Sequence, residues 1–325
     1  MIGSDVEAAA ALLLKGDVVA FPTETVYGLG ALALNPAAVA RIFEVKCRPR
    51  FDPLIVHTES STHAFALCQR LPPAAERLAK AFWPGPLTLV LPKRPCVPDI
   101  VTAGLSSVAI RVPAHPIAQR LLAAVGEPIA APSANRFGRV SPTTAAHVLD
   151  DLGNDIPLIL DGGPCSHGIE STIIALTSDR PRLLRPGSIA LEDIQVLVGE
   201  IETSVQSSNT PQSPGQFPSH YAPRTPMQPY RPGLEPAAGE RVGLLAFGPT
   251  HSSGYAHVEV LSLRRDLVEA SSNLFAALRR LDAQRLDRIV CEFAPAQGLG
   301  NAINDRLWRG CKSLPLTNPN QRSLP

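Results

Sequence analysis

The side chains able to do chemistry gather in short segments framed by apolar residues. In PTETVYGLG, residues 22–30, two threonine hydroxyls, a carboxylate and a tyrosine hydroxyl precede two glycines, where a backbone can approach a ligand closely. An ordinary strand running into a glycine turn would carry the same letters. In KCRPRFDPLIVH, residues 46–57, Lys46 and Arg48 flank one residue at a helix end while Pro49 and Pro53 stiffen the exit, a cationic fork suited to a polyphosphate. Cations there also complement the helix dipole, which needs no ligand. His57 closes the run LIV and reads as a pocket residue or as an edge histidine with its own partner; the bare sequence favours the second. Arg111 stands inside VAIRVP where the pattern calls for an apolar residue. A buried arginine requires an anionic partner, a carboxylate of the protein or one of a ligand.

Three further segments follow. APSANRFGRVSPT, residues 131–143, places Ser133 and Asn135 in a loop punctuated by Pro and Gly, and Ser141-Pro142-Thr143 then reads as a helix start. Its free N–H groups would equally cradle phosphate. HGIESTII puts Glu170, Ser171 and Thr172 at the mouth of a strand, and LLRPGSI holds Arg185 ahead of Pro186-Gly187. Several reaction classes are missing their signatures: there is no Gly-Lys dipeptide for a Walker A loop, no HExxH and no GxSxG. GLGALA at 28–33 reads formally as GxGxxA, but Pro22 and five more residues separate the strand from its first glycine, and a dinucleotide fingerprint needs the turn at the strand end.

The elements that must position these groups alternate. A helix is expected over 4–16, capped by Ser4, then strands at 17–21, 54–56, 87–91, 108–112, 158–160 and 171–176 between helices at 36–46, 74–82, 116–125, 143–151 and 191–198. That is an α/β layer structure. Residues 204–240, with eight prolines between 211 and 236, read as a linker. Strands at 242–247, 257–261 and 288–293 with helices at 266–282 and 299–309 make a small second α/β domain. A length of 325 residues fits two domains, and 45% hydrophobic with 18% charged residues fits a globular chain. Thirty basic against twenty-nine acidic side chains leave +1, so no bulk field draws the protein to nucleic acid or lipid. Six scattered cysteines form no CxxC, and the N-terminus lacks the basic region of a secretory signal, which together suggest a reduced, cytoplasmic, soluble protein.

Taken in order, the segments resemble the YrdC domain family in its two-domain form, the threonylcarbamoyl-AMP synthases. The resemblance runs through PTETVYGLG, KxRPxxxPL, WPGPLTLVL at 83–91, VAIRVPAHP, SANxxGxxSPT, ESTI and LRPG, and continues in SPGQFPSHYAP (213–223) and GLGNAINDRLWRG (298–310). It implies a YrdC-like twisted mixed sheet with flanking helices over 1–203, a Pro-rich linker at 204–240 folding over the active site, and a smaller Rossmann-like α/β C-terminal domain at 241–325. It implies conversion of L-threonine, bicarbonate and ATP, with Mg2+, to threonylcarbamoyl-AMP and pyrophosphate, the product passing to a tRNA threonylcarbamoyltransferase. Carried over by motif position, Lys46, Arg48, Asp52, Ser107, Ser133, Asn135, Ser141, Arg185 and Tyr221 hold ATP, with Lys46 and Arg48 acting in the chemistry. Thr25, His57, Arg111, Ala131 and Ser171 hold threonine, Arg111 at its carboxylate, and no residue is assigned to a protein-held metal. Three positions depart from the family: Asp52 replaces a usual Asn, Phe137 a usual Ser, and QFPS precedes His220-Tyr221, where Met and basic residues are common. The alternatives are an RNA-binding module without catalysis, which the near-neutral charge disfavours, and a hydrogenase-maturation relative, which would bring cysteine pairs. Membrane association is not expected, and any tRNA contact is weak or indirect.

Overall fold

The computed structural model describes residues 1–49, 51–203, 221–233, 236–250 and 253–311. Fourteen short strands occur among them: β1 (Ile2–Gly3), β2 (Val19–Phe21), β3 (Gly28–Leu32), β4 (Ile55–His57), β5 (Leu87–Pro92), β6 (Ser107–Arg111), β7 (Ile129–Ala130), β8 (Leu158–Leu160), β9 (Thr172–Ala175), β10 (Arg182–Arg185), β11 (Met227–Pro229), β12 (Val242–Ala246), β13 (His257–Val260) and β14 (Arg288–Cys291). The first ten form one mixed sheet in the order β1-β8-β2-β3-β7-β4-β6-β5-β9-β10, and the last four a parallel sheet in the order β11-β14-β12-β13. Apolar runs too uniform to alternate are what a sheet covered by helices on its faces requires. Val19, Phe21, Leu29, Val56, Leu89 and Ile110 accordingly share one core with Leu13, Ile42, Leu78 and Leu121 from the helices.

The register sets the site. β2 and β3 are antiparallel and joined by residues 22–27, so that loop stands at their common end. β4 and β6 are parallel with His57 opposite Arg111, which brings both to the same edge. The helix Pro36–Lys46 is launched by Asn35, whose side chain accepts from Ala37 and Ala38 N–H, and stopped by Cys47 in the left-handed region, φ 52°. The chain therefore delivers Lys46 and Arg48 at a defined turn.

The structure departs from the sequence expectations at several places. The first helix is Val6–Leu14 and its cap is Asp5, whose side chain accepts from Ala8 N–H, in place of Ser4. The helix expected at 143 starts at Ala145 with Thr144 as cap, which releases Ser141 for other bonds. GLGAL is a strand, not a turn, and β11 lies within the stretch read as linker. Cys291 and Cys311, distant in sequence, bring their sulfurs to 3.8 Å.

Candidate functional site

A cavity of about 520 Å³, counting its open mouth, lies where the 22–27 loop, the ends of β4 and β6 and the 131–135 and 170–171 segments converge. At one end Arg111 is buried and its guanidinium is shared out: Nε donates to Gly85 O at 3.1 Å, one terminal nitrogen donates to Thr25 Oγ1 at 2.9 Å, and the other pairs with Glu24 at 2.7 Å. The anionic partner demanded by a buried arginine is thus a carboxylate of the protein. Burial alone would raise the Glu24 carboxyl, but the Arg111 guanidinium outweighs it and holds the group below its ordinary value. Thr23 Oγ1 shares a hydrogen bond with Thr25 Oγ1 at 2.8 Å and donates to Val26 O at 2.6 Å, which fixes the loop. His57 lines the cavity instead of being a satisfied edge histidine; burial and then Arg111 depress it to about 3, and its buried Nδ1 has no hydrogen-bond partner among the described residues. It is a neutral ring.

At the other end Arg48 lines the cavity and pairs with Asp52 at 2.7 Å, while its NH2 donates to Pro53 O at 3.0 Å. Asp52 stands behind the arginine. Burial raises its carboxyl, and Arg48, Lys46 and Arg185 only partly offset this. Phe137, the other departure noted in the sequence, lies under the Arg48 guanidinium at 5.9 Å from the ring centre. Lys46 does not share the cavity with Arg48 as the fork reading expects. A buried ammonium needs acceptors, and it donates to Ser133 O at 2.6 Å and to Asn135 O, pinning the 133–135 loop to the helix end. Burial, then Arg48, push Lys46 well below its ordinary value.

Between the two ends, Ser171 shares a hydrogen bond with Thr88 at 2.8 Å and accepts from Arg185 at 3.1 Å, and Arg185 also donates to Ser171 O at 3.0 Å. The β9–β10 register slips between Leu183 and Arg185, which re-aims the strand end. Gly187 is required there, since a Cβ would come within 2.4 Å of the Ser171–Thr172 backbone. Ala131, Ser133 and Tyr221 also line the cavity.

Besides Lys46, four expected site residues lie outside the cavity lining. Ser107 begins β6 at the end opposite Arg111 and does not line the cavity. Asp52 is behind Arg48. Asn135 donates to Arg136 O and Arg139 O, both at 2.9 Å, bracing its loop. Ser141 donates to Glu170 Oε1 at 2.6 Å. Sequence reasoning gave no role to Glu24, Thr23, Glu170 or Arg306. The first three stood in quoted motifs; Arg306 carried no signal beyond lying in GLGNAINDRLWRG. Phe217 and His220 of the expected lid lie outside the described residues.

Comparisons with known proteins agree with one another. Residues 11–187 match the family described as Telomere recombination, which groups Sua5, YciO and YrdC, and residues 189–311 match Threonylcarbamoyl-AMP synthase, C-terminal domain. The chain is 45% identical over 316 residues to the threonylcarbamoyl-AMP synthase of Pyrococcus abyssi, covering 92% of each. It is 44% identical over 325 residues to that of Bacillus subtilis, covering 93% of this chain and 91% of the other. A crystal structure of P. abyssi Sua5 complexed with L-threonine superposes with a TM-score of 0.88 at 42% identity, covering 94% of both chains.

Proposed function

The chain belongs to the Sua5/YrdC family of threonylcarbamoyl-AMP synthases, and from that premise we propose how its cavity makes threonylcarbamoyl-AMP from L-threonine, bicarbonate and ATP. The observation that carries the reading is the unequal charge of the two ends. Arg111 and Glu24 cancel, and His57 is neutral, so that end suits a zwitterionic amino acid. At the other end Asp52 pairs with Arg48 and Glu170 with Arg306, while Lys46 is bonded to carbonyls and Arg185 to Ser171, which leaves a positive excess for a triphosphate.

Threonine's carboxylate meets Arg111, and Thr25, Ser171 and the His57 ring offer partners to its other polar groups. The neutral amine attacks the carbon of carbon dioxide, formed from bicarbonate by loss of hydroxide that leaves as water. The C–N bond forms as one C=O π pair moves onto oxygen, and the amine gives up a proton to solvent, which leaves a carbamate. A carbamate oxygen then attacks the α-phosphorus, forming P–O as the bond to pyrophosphate breaks. Neither step needs a protein nucleophile; holding the reactants in line and neutralising the leaving pyrophosphate suffice. Arg48 and Arg185 do the second, and Lys46 acts by holding the Ser133 loop in place. Magnesium is part of the substrate, its oxygen preference met by phosphate. Asp52 faces Arg48 and is better placed to orient that guanidinium than to bind the ion. The product is a labile adenylate suited to transfer onto tRNA by a partner enzyme, and a cytoplasmic setting belongs to the same reading. No helix among the described residues is long and apolar enough to cross a membrane.

The test is mass detection of threonylcarbamoyl-AMP from purified protein given the three substrates. Pyrophosphate release is expected only when threonine and bicarbonate are both present. Release from ATP alone, with no threonylcarbamoyl-AMP, would end the proposal.

A further inference from the structure

Arg306 belongs to the helix Leu299–Cys311 of the second domain, yet it is wholly buried against the first. Its Nε donates to Glu170 Oε2 at 3.0 Å and NH1 to Pro186 O at 2.6 Å, and its guanidinium lies 5.2 Å from the Tyr221 ring centre. Both Glu170 and Tyr221 line the cavity. Arg306 does not.

The arrangement inverts the rest of the site. At Arg111 and Arg48 the cation faces the cavity with a carboxylate behind it, whereas at Glu170 the carboxylate faces the cavity and the cation stands behind. An unneutralised carboxylate beside Arg185 would cancel part of the positive excess and repel a polyphosphate. Tyr221 needs support of another kind: its φ of 63° is a left-handed conformation that a tyrosine keeps only when its surroundings impose it. Stacking on Phe275 at 5.6 Å, the Ala222 N–H bond to Gly138 O at 2.9 Å and Arg306 over the ring supply that. The domains also meet without slack at Gly168, where a Cβ would come within 2.3 Å of Ser272 O.

We propose that Arg306 is a positioning residue through which the second domain sets the affinity of the first for ATP, by neutralising Glu170 and holding Tyr221 at the cavity. The proposal rests on the synthase reading for the identity of the anion. Burial opposes the charge on Arg306, but Tyr221, Glu170 and Asp305 outweigh it and hold the guanidinium above its ordinary value.

The experiment measures ATP binding by calorimetry and KM for ATP and for threonine, all on the full chain well below its thermal midpoint. Arg306→Met is expected to weaken ATP about tenfold or more, since it leaves a buried charge unpaired, with threonine's KM changed far less. The double variant Arg306→Met/Glu170→Gln, which removes that charge while keeping a partner for Ser141, is expected to recover most of the loss. Arg306→Lys, read alone if the Met variant does not fold, should fall between. A lowered thermal midpoint with unchanged ATP affinity would reduce Arg306 to domain glue and overturn the proposal, as would a double variant no better than the single. Calorimetry separates this failure from failure of the synthase reading, because it reads ATP binding whether or not the wild-type protein makes the product.

Discussion

The two ends of the cavity use the same device, an arginine backed by a buried carboxylate, and reach different electrostatic results. Around Arg111 and Glu24 the ring that faces the cavity, His57, is neutral, so the ion pair closes on itself and offers direction without net charge. Around Arg48 and Asp52 two further cations remain, Lys46 bonded to carbonyls and Arg185 bonded to Ser171. Carbonyls satisfy hydrogen bonds but cancel no charge, so the field persists. A buried ion pair therefore says little about what a site binds until the charges outside the pair are counted.

The sharpest way to break this comparison is Arg48→Ala. It removes a cavity cation and leaves Asp52 buried with its charge opposed only by Lys46 and Arg185. A loss of about 2–4 kcal/mol, roughly a hundredfold, is expected in kcat/KM for ATP, with threonine's KM moving little. Asp52→Asn in the same background should regain part of the loss. Near-normal ATP turnover in folded Arg48→Ala would show that the positive excess is not what binds the triphosphate.

At the neutral end the expected pattern is reversed. Glu24→Gln leaves Arg111 without its counter-charge and Thr25→Val removes one of the oxygens that hold it. Each should raise KM for threonine by roughly ten- to a hundredfold, since a truncated partner of a buried charged hydrogen bond costs about 1.5–3 kcal/mol, and each should spare ATP binding. Steady-state titration of both substrates checks this, and equal effects on the two would dissolve the distinction between the ends.

What could be read in advance follows from range. Asn35 before Pro36 announces a helix within four residues, and Arg111 in an apolar strand announces a buried ion pair. That its partner is Glu24 depends on which strands pair, which no local pattern encodes. Strand β3 has no local signature because Gly28 and Gly30 read as a turn; the strand needs glycine at 30, where a Cβ would come within 2.8 Å of Phe21 and Ile129. Lys46 and Arg48 look alike in sequence, and only the path of the 133–135 loop gives one of them to carbonyls and the other to the cavity. Arg306 sits in a helix whose neighbours Trp308 and Arg309 are partly exposed, so its letter resembles a surface charge.

Selectivity sharpens the neutral end further. Groups that pair with a substrate hydroxyl are left without a partner by an analogue lacking it, whereas a pocket sensing size alone tolerates the exchange. Serine is therefore expected to compete with threonine at least tenfold better than 2-aminobutyrate, although the latter keeps the methyl. Equal competition in a product assay would mean that Thr25, His57 and Ser171 do not read the hydroxyl.

The smallest effect concerns stability. His57 falls from 6.5 to about 3 on folding, with burial the main cause and Arg111 the second. Because the native pKa is depressed, the unfolded chain takes up a proton below about pH 6.5 that the folded chain refuses, so stability present above that pH is lost progressively as the pH falls towards 3. His147, depressed to about 4 by burial and Arg279, adds to the same trend. Asp52, raised by burial, works in the opposite sense: its contribution is fully present below its unfolded pKa and is lost as the pH rises through the native value. Neither obscures the test, because His57→Gln removes one titration and leaves the others. The stability difference between wild type and His57→Gln should shrink by about 1 kcal/mol between pH 8 and pH 6, the cost of protonating one histidine in the unfolded state only. Thermal melts of both proteins across that interval measure it. A difference that stays constant with pH would mean that His57 titrates normally in the folded protein, and the neutral end of the cavity would then gain a charge in mild acid that the comparison does not allow.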